Sequence, residues 1–128
     1  MKKKVEVIEE QVLRDCLASG GSVALARVGR LEPVYQGTRG AKVFIHLEVE
    51  QQLHGQLPRE VRYWVYGSPE LVQLPPQLII AVRPPYAGTQ EVQMMSAVEV
   101  PQGMEAESVQ AHQQALAKLG KSPAPSGR

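Results

Sequence analysis

The chain has 128 residues, of which 43% are hydrophobic and 21% are charged, a composition typical of one folded domain that excludes an intrinsically disordered protein. Fourteen basic and thirteen acidic residues give a net charge of +1, so no overall field draws the chain to nucleic acid or to a membrane surface. Cys16 is the single cysteine, which excludes an internal disulfide and a zinc site built from several cysteines.

The first residues bear on where the protein is found. Met-Lys-Lys-Lys is typical of the start of a signal peptide, but Glu6, Glu9 and Glu10 follow where an apolar stretch is needed. No apolar run approaches the roughly 20 residues that span a bilayer. We therefore expect a soluble, cytoplasmic protein without a membrane partner, or an extracytoplasmic one if a leader was removed ahead of residue 1.

Residues 5–18 are predicted to form an amphipathic helix at the amino terminus. Their apolar side chains recur at spacings of three and four residues, which places them on one helical face. Gly20 and Gly21 follow, and glycine adopts the left-handed conformation that ends a helix. The apolar positions are Val5, Ile8, Val12, Leu13, Cys16 and Leu17.

Three strands are predicted in the next part of the chain. Residues 22–31, rich in Val, Ala and Leu, form the first strand, and a turn-rich link over residues 32–40 follows it. In residues 42–50 and 60–66 the apolar side chains alternate with other side chains, which is typical of half-buried strands. Because residues 54–58 form a turn between them, these two segments are expected to pair as an antiparallel hairpin.

The second half of the chain adds two strands and a helix. Residues 70–74 are predicted to be a short helical turn or irregular, and residues 78–83 form a nearly continuous apolar strand. Residues 91–100 form the last strand, residues 104–119 form a helix, and residues 120–128, rich in Gly, Ser and Pro, form a disordered tail. The helix has a thin apolar stripe of Val109, Leu116 and Leu119, and the last strand presents Val92, Met94, Ser96, Val98 and Val100 on one face.

Together these elements predict a mainly β fold. Five strands with irregular links and flanking helices favour a small closed barrel, because closure removes the exposed edges of an open sheet. We expect a five-stranded OB-like β-barrel, with other small β-barrels or sandwiches as the alternative. The N-terminal helix and the barrel occupy residues 1–103, the C-terminal helix residues 104–119 and the tail residues 120–128.

No combination of residues predicts catalysis. His46, His54 and His112 lie on a strand, a turn and a helix without the spacing of metal ligands, so we expect no metal site and interpret them as solvated histidines. Cys16 lies on the apolar stripe of the first helix, which favours a small buried hydrophobic residue over a nucleophile. No glycine-rich segment matches a phosphate-binding loop. We therefore expect a protein that is not an enzyme and needs no cofactor.

One face of the predicted hairpin carries the residues best suited to binding. It holds the only Phe and the only Trp of the sequence and one of its four Tyr, on the side opposite the Val, Ile and Leu side chains. A water-facing Trp is unusual, and exposed apolar patches commonly mark contacts. We name this set the aromatic-basic face; it consists of Lys42, Phe44 and His46 on one strand and Arg62, Trp64 and Tyr66 on the other.

Three interpretations of the aromatic-basic face are open. In the first, one of the terminal helices covers it and it belongs to the core. In the second, it binds another protein or a second copy of the chain, since Trp, Tyr and Arg dominate protein interfaces. In the third, single-stranded nucleic acid stacks its bases on the aromatic side chains. Glu48 and Glu50 on the same strand face, together with the net charge near zero, argue against the third.

Two segments around this hairpin resemble a known family. Residues 23–37 read VALARVGRLEPVYQG, and residues 43–61 read VFIHLEVEQQLHGQLPREV. They are similar to the bacterial relatives of the netrin and tissue-inhibitor-of-metalloproteinase OB domains, and the GQLP of residues 55–58 stands where that family's hairpin turns. The resemblance, over about residues 20–83, implies an OB barrel used for protein contact. It does not imply protease inhibition, because those inhibitors engage zinc through an amino-terminal cysteine held by disulfides.

The sequence thus predicts a non-catalytic binding module that acts through the aromatic-basic face. The predicted partner is another protein or a second copy of the chain. The alternative is a single-stranded nucleic-acid-binding OB-fold protein that uses the same face.

Overall fold

The structure is a computed structural model that describes residues 4–35 and 41–121. Over these residues the chain forms two helices, five strands and a short 3-10 turn, and no helix is long and apolar enough to cross a membrane. Residues 36–40 of the predicted link and residues 122–128 of the predicted tail lie outside the described residues. The elements in chain order are α1 (Glu10–Ala18), β1 (Ser22–Tyr35), β2 (Ala41–His54), β3 (Glu60–Tyr66), the 3-10 turn (Pro69–Leu71), β4 (Gln77–Val82), β5 (Met94–Glu99) and α2 (Glu105–Lys121).

The five strands form one antiparallel sheet in the order β3-β2-β1-β4-β5. β1 pairs with β2 along most of its length, and its first part, residues 22–27, also pairs with β4. The sheet is not closed: β3 meets the segment before β5 through an isolated parallel bridge between Arg62 and Glu91. The prediction of a mainly β fold with five strands and a helix at each end is confirmed, and the sheet is open.

The two central strands are longer than the alternation predicted, and α1 is shorter. β1 runs to Tyr35 and β2 to His54, because the two strands remain paired well beyond their predicted ends. Pro33 fits inside β1 since that part of β1 pairs with β2 alone, and the missing N–H of proline faces the other edge. α1 begins at Glu10 rather than at residue 5.

One face of the sheet carries the larger apolar core. Val43, Ile45 and Leu47 of β2 point into it, as the alternation predicted, and all three are buried. Tyr63 of β3 is buried in the same core, and its burial raises the pKa of the phenol. β4 contributes to both faces and is buried along its whole length, which explains its nearly continuous apolar sequence.

The helices pack on the opposite face of the sheet, over β1, β4, β5 and the part of β2 that carries Leu53. Their apolar stripes form a second core with the side chains that those strands present on this side. Cys16 lies there with 0% of its surface exposed, as predicted, and burial raises the pKa of its thiol. The members of this core are Ile8, Leu13, Cys16, Val23, Leu25, Ile79, Ala81, Val100 and Val109, with Leu116 and Leu119 packed against them.

The prediction that one face of the last strand holds all five of its named residues is wrong. The pairing of β4 with β5 shifts register between Ala81 and Val82, so that an extra residue enters β5 at this point. Such a bulge reverses the alternation beyond it. Val92 and Met94 therefore contact the larger core, whereas Val98 and Val100 contact the helical core.

The two glycines after α1 have different roles. Gly20 has φ of +76°, the left-handed conformation predicted for the end of the helix. Gly21 is needed for space: a Cβ atom at this position would lie 2.3 Å from the carbonyl oxygen of Val82 and 2.8 Å from Sγ of Cys16. The chain therefore turns from α1 into β1 in direct contact with β4.

The prediction of solvated histidines is wrong for two of the three. His54 is exposed, but His46 is 6% exposed and His112 is 0% exposed. His112 lies on the buried side of α2, where burial lowers the pKa of its imidazole. Histidine is as compatible with a buried helical position as with an exposed one when both ring nitrogens find partners, and the pattern of apolar residues does not distinguish the two.

Candidate functional site

The hairpin of β2 and β3 brings all six predicted site residues to one side of the sheet. They form three directly opposed cross-strand pairs: Lys42 with Tyr66, Phe44 with Trp64, and His46 with Arg62. Period-two alternation in both strands fixes this arrangement, because the intervening residues point into the larger core. The aromatic-basic face is assembled by the antiparallel pairing of the two predicted strands.

The pattern of backbone hydrogen bonds in the hairpin places these opposed side chains close together. The backbone N–H of Arg62 donates to the carbonyl of Gln90, and its carbonyl accepts from the N–H of Val92, so Arg62 does not bond to β2. The pair of Arg62 with His46 is therefore a non-hydrogen-bonded pair, and by alternation so are the other two pairs of the face. Side chains lie closer together in such pairs, which favours contact between Phe44 and Trp64.

The aromatic rings of the face contact cations of the same face. Nζ of Lys42 lies 4.2 Å from the centroid of the Trp64 ring, and Cζ of Arg62 lies 5.1 Å from the centroid of the Phe44 ring. The rings of Trp64 and Tyr66 meet edge to face, with centroids 4.8 Å apart. Both geometries are attractive ones for a ring quadrupole. The face is a packed row of cations and rings.

His46 anchors the other end of the row between two carboxylates. Its Nε2–H donates to Oε1 of Glu32 over 2.7 Å, and its Nδ1 lies 3.6 Å from Oε2 of Glu60. The hydrogen bond from His46 holds the pKa of the Glu32 carboxyl below its usual range. Glu32 pairs with Phe44 across β1 and β2, so the acidic cluster adjoins the aromatic row. His46 is a structural part of this face rather than an exposed contact.

The terminal helices leave the aromatic-basic face uncovered among the described residues. α1 and α2 share the side of the sheet on which the face lies, but they pack over β1, β4, β5 and the part of β2 that carries Leu53. Tyr66 is 75% exposed, and Phe44 and Trp64 are partly buried by their neighbours in the row. One side of the sheet is thus divided between a half covered by helices and an aromatic half open to solvent.

Charges of both signs surround the face. Arg30 lies 3.8 Å from Glu32, and Arg59 lies 3.7 Å from Glu48, in ion pairs whose partners are largely exposed. With Glu60 beside His46, the acidic side chains stand at the end of the row opposite Tyr66. Arg30, Arg59 and Arg62 stand at the same end, so the surroundings of His46 carry charges of both signs, whereas Lys42 lies over Trp64 at the other end.

The structure shows one further feature that the sequence did not indicate. Beyond the bridge of Arg62 with Glu91 the two edges of the sheet separate and leave a cavity of about 450 Å³. We name it the edge cleft. The bridge between Arg62 and Glu91 joins two segments that are distant in the sequence, and the local sequence pattern carries no information on such a pairing. Its lining residues are Tyr63, Trp64, Val65, Tyr86, Glu91, Val92, Gln93 and Met94.

The described residues contain no group of three His, Cys, Asp or Glu side chains that could hold a metal ion. Sγ of Cys16 lies 3.4 Å from the carbonyl oxygen of Ser22 and 3.5 Å from that of Val82. A buried thiol with a raised pKa is a poor nucleophile.

Comparisons with known proteins identify no relative. No family model matches the sequence, and no curated protein or solved structure matches it significantly. The resemblance to the netrin and tissue-inhibitor-of-metalloproteinase OB domains stays a prediction.

Proposed function

We propose that the chain is a non-catalytic binding module that engages another protein through the aromatic-basic face. The observation that carries the proposal is the uncovered row of Phe44, Trp64 and Tyr66 on a rigid hairpin, in a protein whose two helices cover the other half of the same side. Trp, Tyr and Arg are enriched among residues that dominate the energy of protein interfaces. A row already packed in place loses little side-chain entropy when a partner binds.

The charges around the face support a protein partner over a nucleic acid. Lys42 and Arg62 are placed over rings, while Glu32, Glu48 and Glu60 lie around the His46 end. A phosphate backbone would pass close to these carboxylates, and repulsion would offset the gain from the cations. A protein partner can instead place a negative charge opposite each cation of the face and a positive charge opposite each carboxylate. Such complementarity gives specificity.

We also propose that the open sheet is an OB-type barrel. An OB barrel is a partly open five-stranded Greek key whose second and third strands form the ligand-binding face. The strand order supports this assignment, because β1 pairs with both β2 and β4 and the bridge of Arg62 with Glu91 joins β3 to the segment just before β5. The aromatic-basic face lies on β2 and β3, the pair of strands that such barrels use for binding.

The second candidate function is the binding of single-stranded nucleic acid on the same face. The row of rings with adjacent cations favours it, since bases stack on aromatic side chains while Lys and Arg neutralise phosphates. The two functions differ in salt dependence. Binding to nucleic acid weakens steeply with salt because it releases counterions, whereas an interface dominated by packing responds weakly.

Site-specific photo-crosslinking tests the proposed function. A benzophenone amino acid replaces Tyr66, which is 75% exposed, and the matched control carries it at Leu71, which is 77% exposed in the 3-10 turn. After irradiation in an extract of the native cells, we expect defined protein adducts from position 66 and not from position 71. The adducts should disappear when Trp64→Ala is added, since truncating such a residue costs roughly 2 kcal/mol or more of binding energy.

Two results contradict the proposal. Equal adduct patterns at positions 66 and 71 would show that the face has no preference for a partner. Adducts with nucleic acid instead of protein at position 66 would replace the proposed function by the second candidate.

A further inference from the structure

Backbone hydrogen bonding along the outer edge of β3 differs between Arg62 and the residues that follow it. At Arg62 both backbone groups are bonded across the edge, the N–H to Gln90 and the carbonyl to Val92. Because outward-pointing groups recur every second residue along a strand, the backbone groups of Trp64 and Tyr66 point to the same edge. Neither residue has a backbone hydrogen bond on that side within the part of the chain that the structure describes.

The edge cleft adjoins this edge at Trp64, and Tyr66 lies just beyond its lining. Tyr63, Trp64 and Val65 form one wall, and residues 91–94 form the other. Tyr86, which is 60% exposed, stands beside the cleft and adds an aromatic surface. The cleft therefore combines a strand edge with free donors and acceptors and an apolar lining.

We propose that the edge of β3 at Trp64 and Tyr66 binds an extended segment of a partner protein, which adds a strand to the sheet. The inference rests on the proposed function and names the form in which the partner is recognised. A guest strand would continue the line of contact that the segment of residues 90–92 begins at Arg62. Addition of a strand to a free sheet edge is an established mode of peptide recognition.

The spacing of the free groups fixes the class of occupant. Trp64 and Tyr66 each offer one N–H and one carbonyl to the same edge, two residues apart, and an extended polypeptide presents complementary groups at the same repeat. Nucleic acid has no such alternation of donors and acceptors along its backbone. Main-chain bonds would provide affinity and side-chain contacts specificity.

The charged residues near the edge of β3 determine which side chains are favourable in the bound strand. Lys42 and Arg62 lie on the outer side of the hairpin next to Trp64, whereas the carboxylates of Glu32 and Glu60 stand around His46 at the other end. A guest residue on the outer side thus meets cations and rings, which favours acidic or aromatic side chains. On the inner side it meets Tyr63 and Met94, which favours an apolar side chain.

The test uses a phage-displayed library of random heptapeptides and the full chain. Peptides that enrich are synthesised, and amide hydrogen exchange of the protein is followed by NMR with and without them. In the free protein we expect fast exchange at Trp64 and Tyr66 and slow exchange at Tyr63 and Val65, whose amides bond to β2. Bound peptide should slow exchange at Trp64 and Tyr66.

A pair of variants isolates the backbone contribution. Tyr66→Pro removes the edge N–H together with the side chain, while Tyr66→Ala removes the side chain and keeps the N–H. We expect the peptide to bind Tyr66→Pro about tenfold more weakly than Tyr66→Ala, the loss that an unsatisfied hydrogen bond produces. Thermal unfolding of both variants, and exchange at Val61 and Tyr63, show whether the sheet is intact. If Tyr66→Pro does not fold, N-methylation of alternate peptide residues removes the same bonds from the guest.

Each remaining outcome overturns the proposal in a distinguishable way. Peptides that alter Trp64 fluorescence without slowing exchange at Trp64 and Tyr66 bind the face alone, which supports the proposed function and overturns strand addition. Slow exchange at both amides in a free protein that sediments as a dimer assigns the edge to a second copy. A library without enriched peptides overturns strand addition, while photo-crosslinking at position 66 still decides the proposed function.

Discussion

The backbone N–H of Ile8 donates a hydrogen bond to Nε2 of His112 over 3.1 Å, although 104 positions separate the two residues. The other ring nitrogen, Nδ1, lies 2.8 Å from the carbonyl oxygen of Ser108 and donates to it. Both bonds require the neutral ring protonated at Nδ1, because Nε2 can accept only without a proton. The segment ahead of α1 is thus held against α2 by one tautomer of a buried histidine.

This arrangement predicts that acid destabilises the protein through His112. Burial lowers the pKa of His112 in the folded state, so the unfolded chain binds its proton first as the pH falls below the usual value of 6.5. The stabilisation is fully present above that value and is lost progressively between it and the lowered pKa of the folded state. Desolvation by burial is the cause of the lowered pKa, and the hydrogen bond to the carbonyl of Ser108 opposes it in part.

Denaturant unfolding of the wild type and of His112→Gln across this pH range checks the prediction. The wild type should lose more free energy of unfolding than the variant as the pH falls below 6.5. His54→Gln is the matched control, because His54 is exposed, and its pH dependence should follow the wild type. Parallel curves for the wild type and His112→Gln would contradict the assignment.

A second prediction concerns the turn between α1 and β1. Gly21→Ala places a Cβ atom 2.3 Å from the carbonyl oxygen of Val82, so either α1 or β4 must shift. We expect a loss of about 2–3 kcal/mol in the free energy of unfolding, the cost of overpacking against rigid backbone. Gly120→Ala is the control, since no atom lies within 4 Å of a Cβ there and alanine favours a helix. A Gly21→Ala protein as stable as the wild type would contradict the close approach of β4.

A third prediction uses Trp64 as the reporter for nucleic acid. Iodide should quench its emission in part, because the indole is partly buried by Lys42 and Tyr66 rather than by a helix. A thymidine oligomer should leave the emission unchanged at both low and high salt. Protection of Trp64 by the oligomer at low salt alone would favour nucleic acid as the ligand, because released counterions drive such binding.

The hairpin of β2 and β3 was predictable from the sequence, whereas the positions of the elements that pack around it were not. Alternation in β2 and β3 determined which side chains share a face, and the turn between them determined the pairing. The position of α2 was left open, because its thin apolar stripe fits any apolar surface of suitable width. The structure places that stripe in the helical core, beside Leu53 of β2 and the side chains of β1, β4 and β5.

The features that sequence reasoning missed depend on contacts between distant residues. The bulge between Met94 and Ser96 of β5, opposite Ala81 and Val82, has no local marker in the sequence, and it reversed the faces of the last strand. The burial of His112 follows from its partner Ile8, which lies at the other end of the chain. Periodicity describes one element at a time, so neither was accessible to it.

The bond between Ile8 and His112 also determines how the domain can be joined to other proteins. It holds the segment ahead of α1 beside α2, in the half of that side of the sheet that the helices cover rather than the half with the aromatic-basic face. A host protein could therefore receive this domain within a surface loop, with both junctions on one side and the hairpin projecting freely. For the same reason a short linker across that side should permit a circular permutant with new termini in a distant loop.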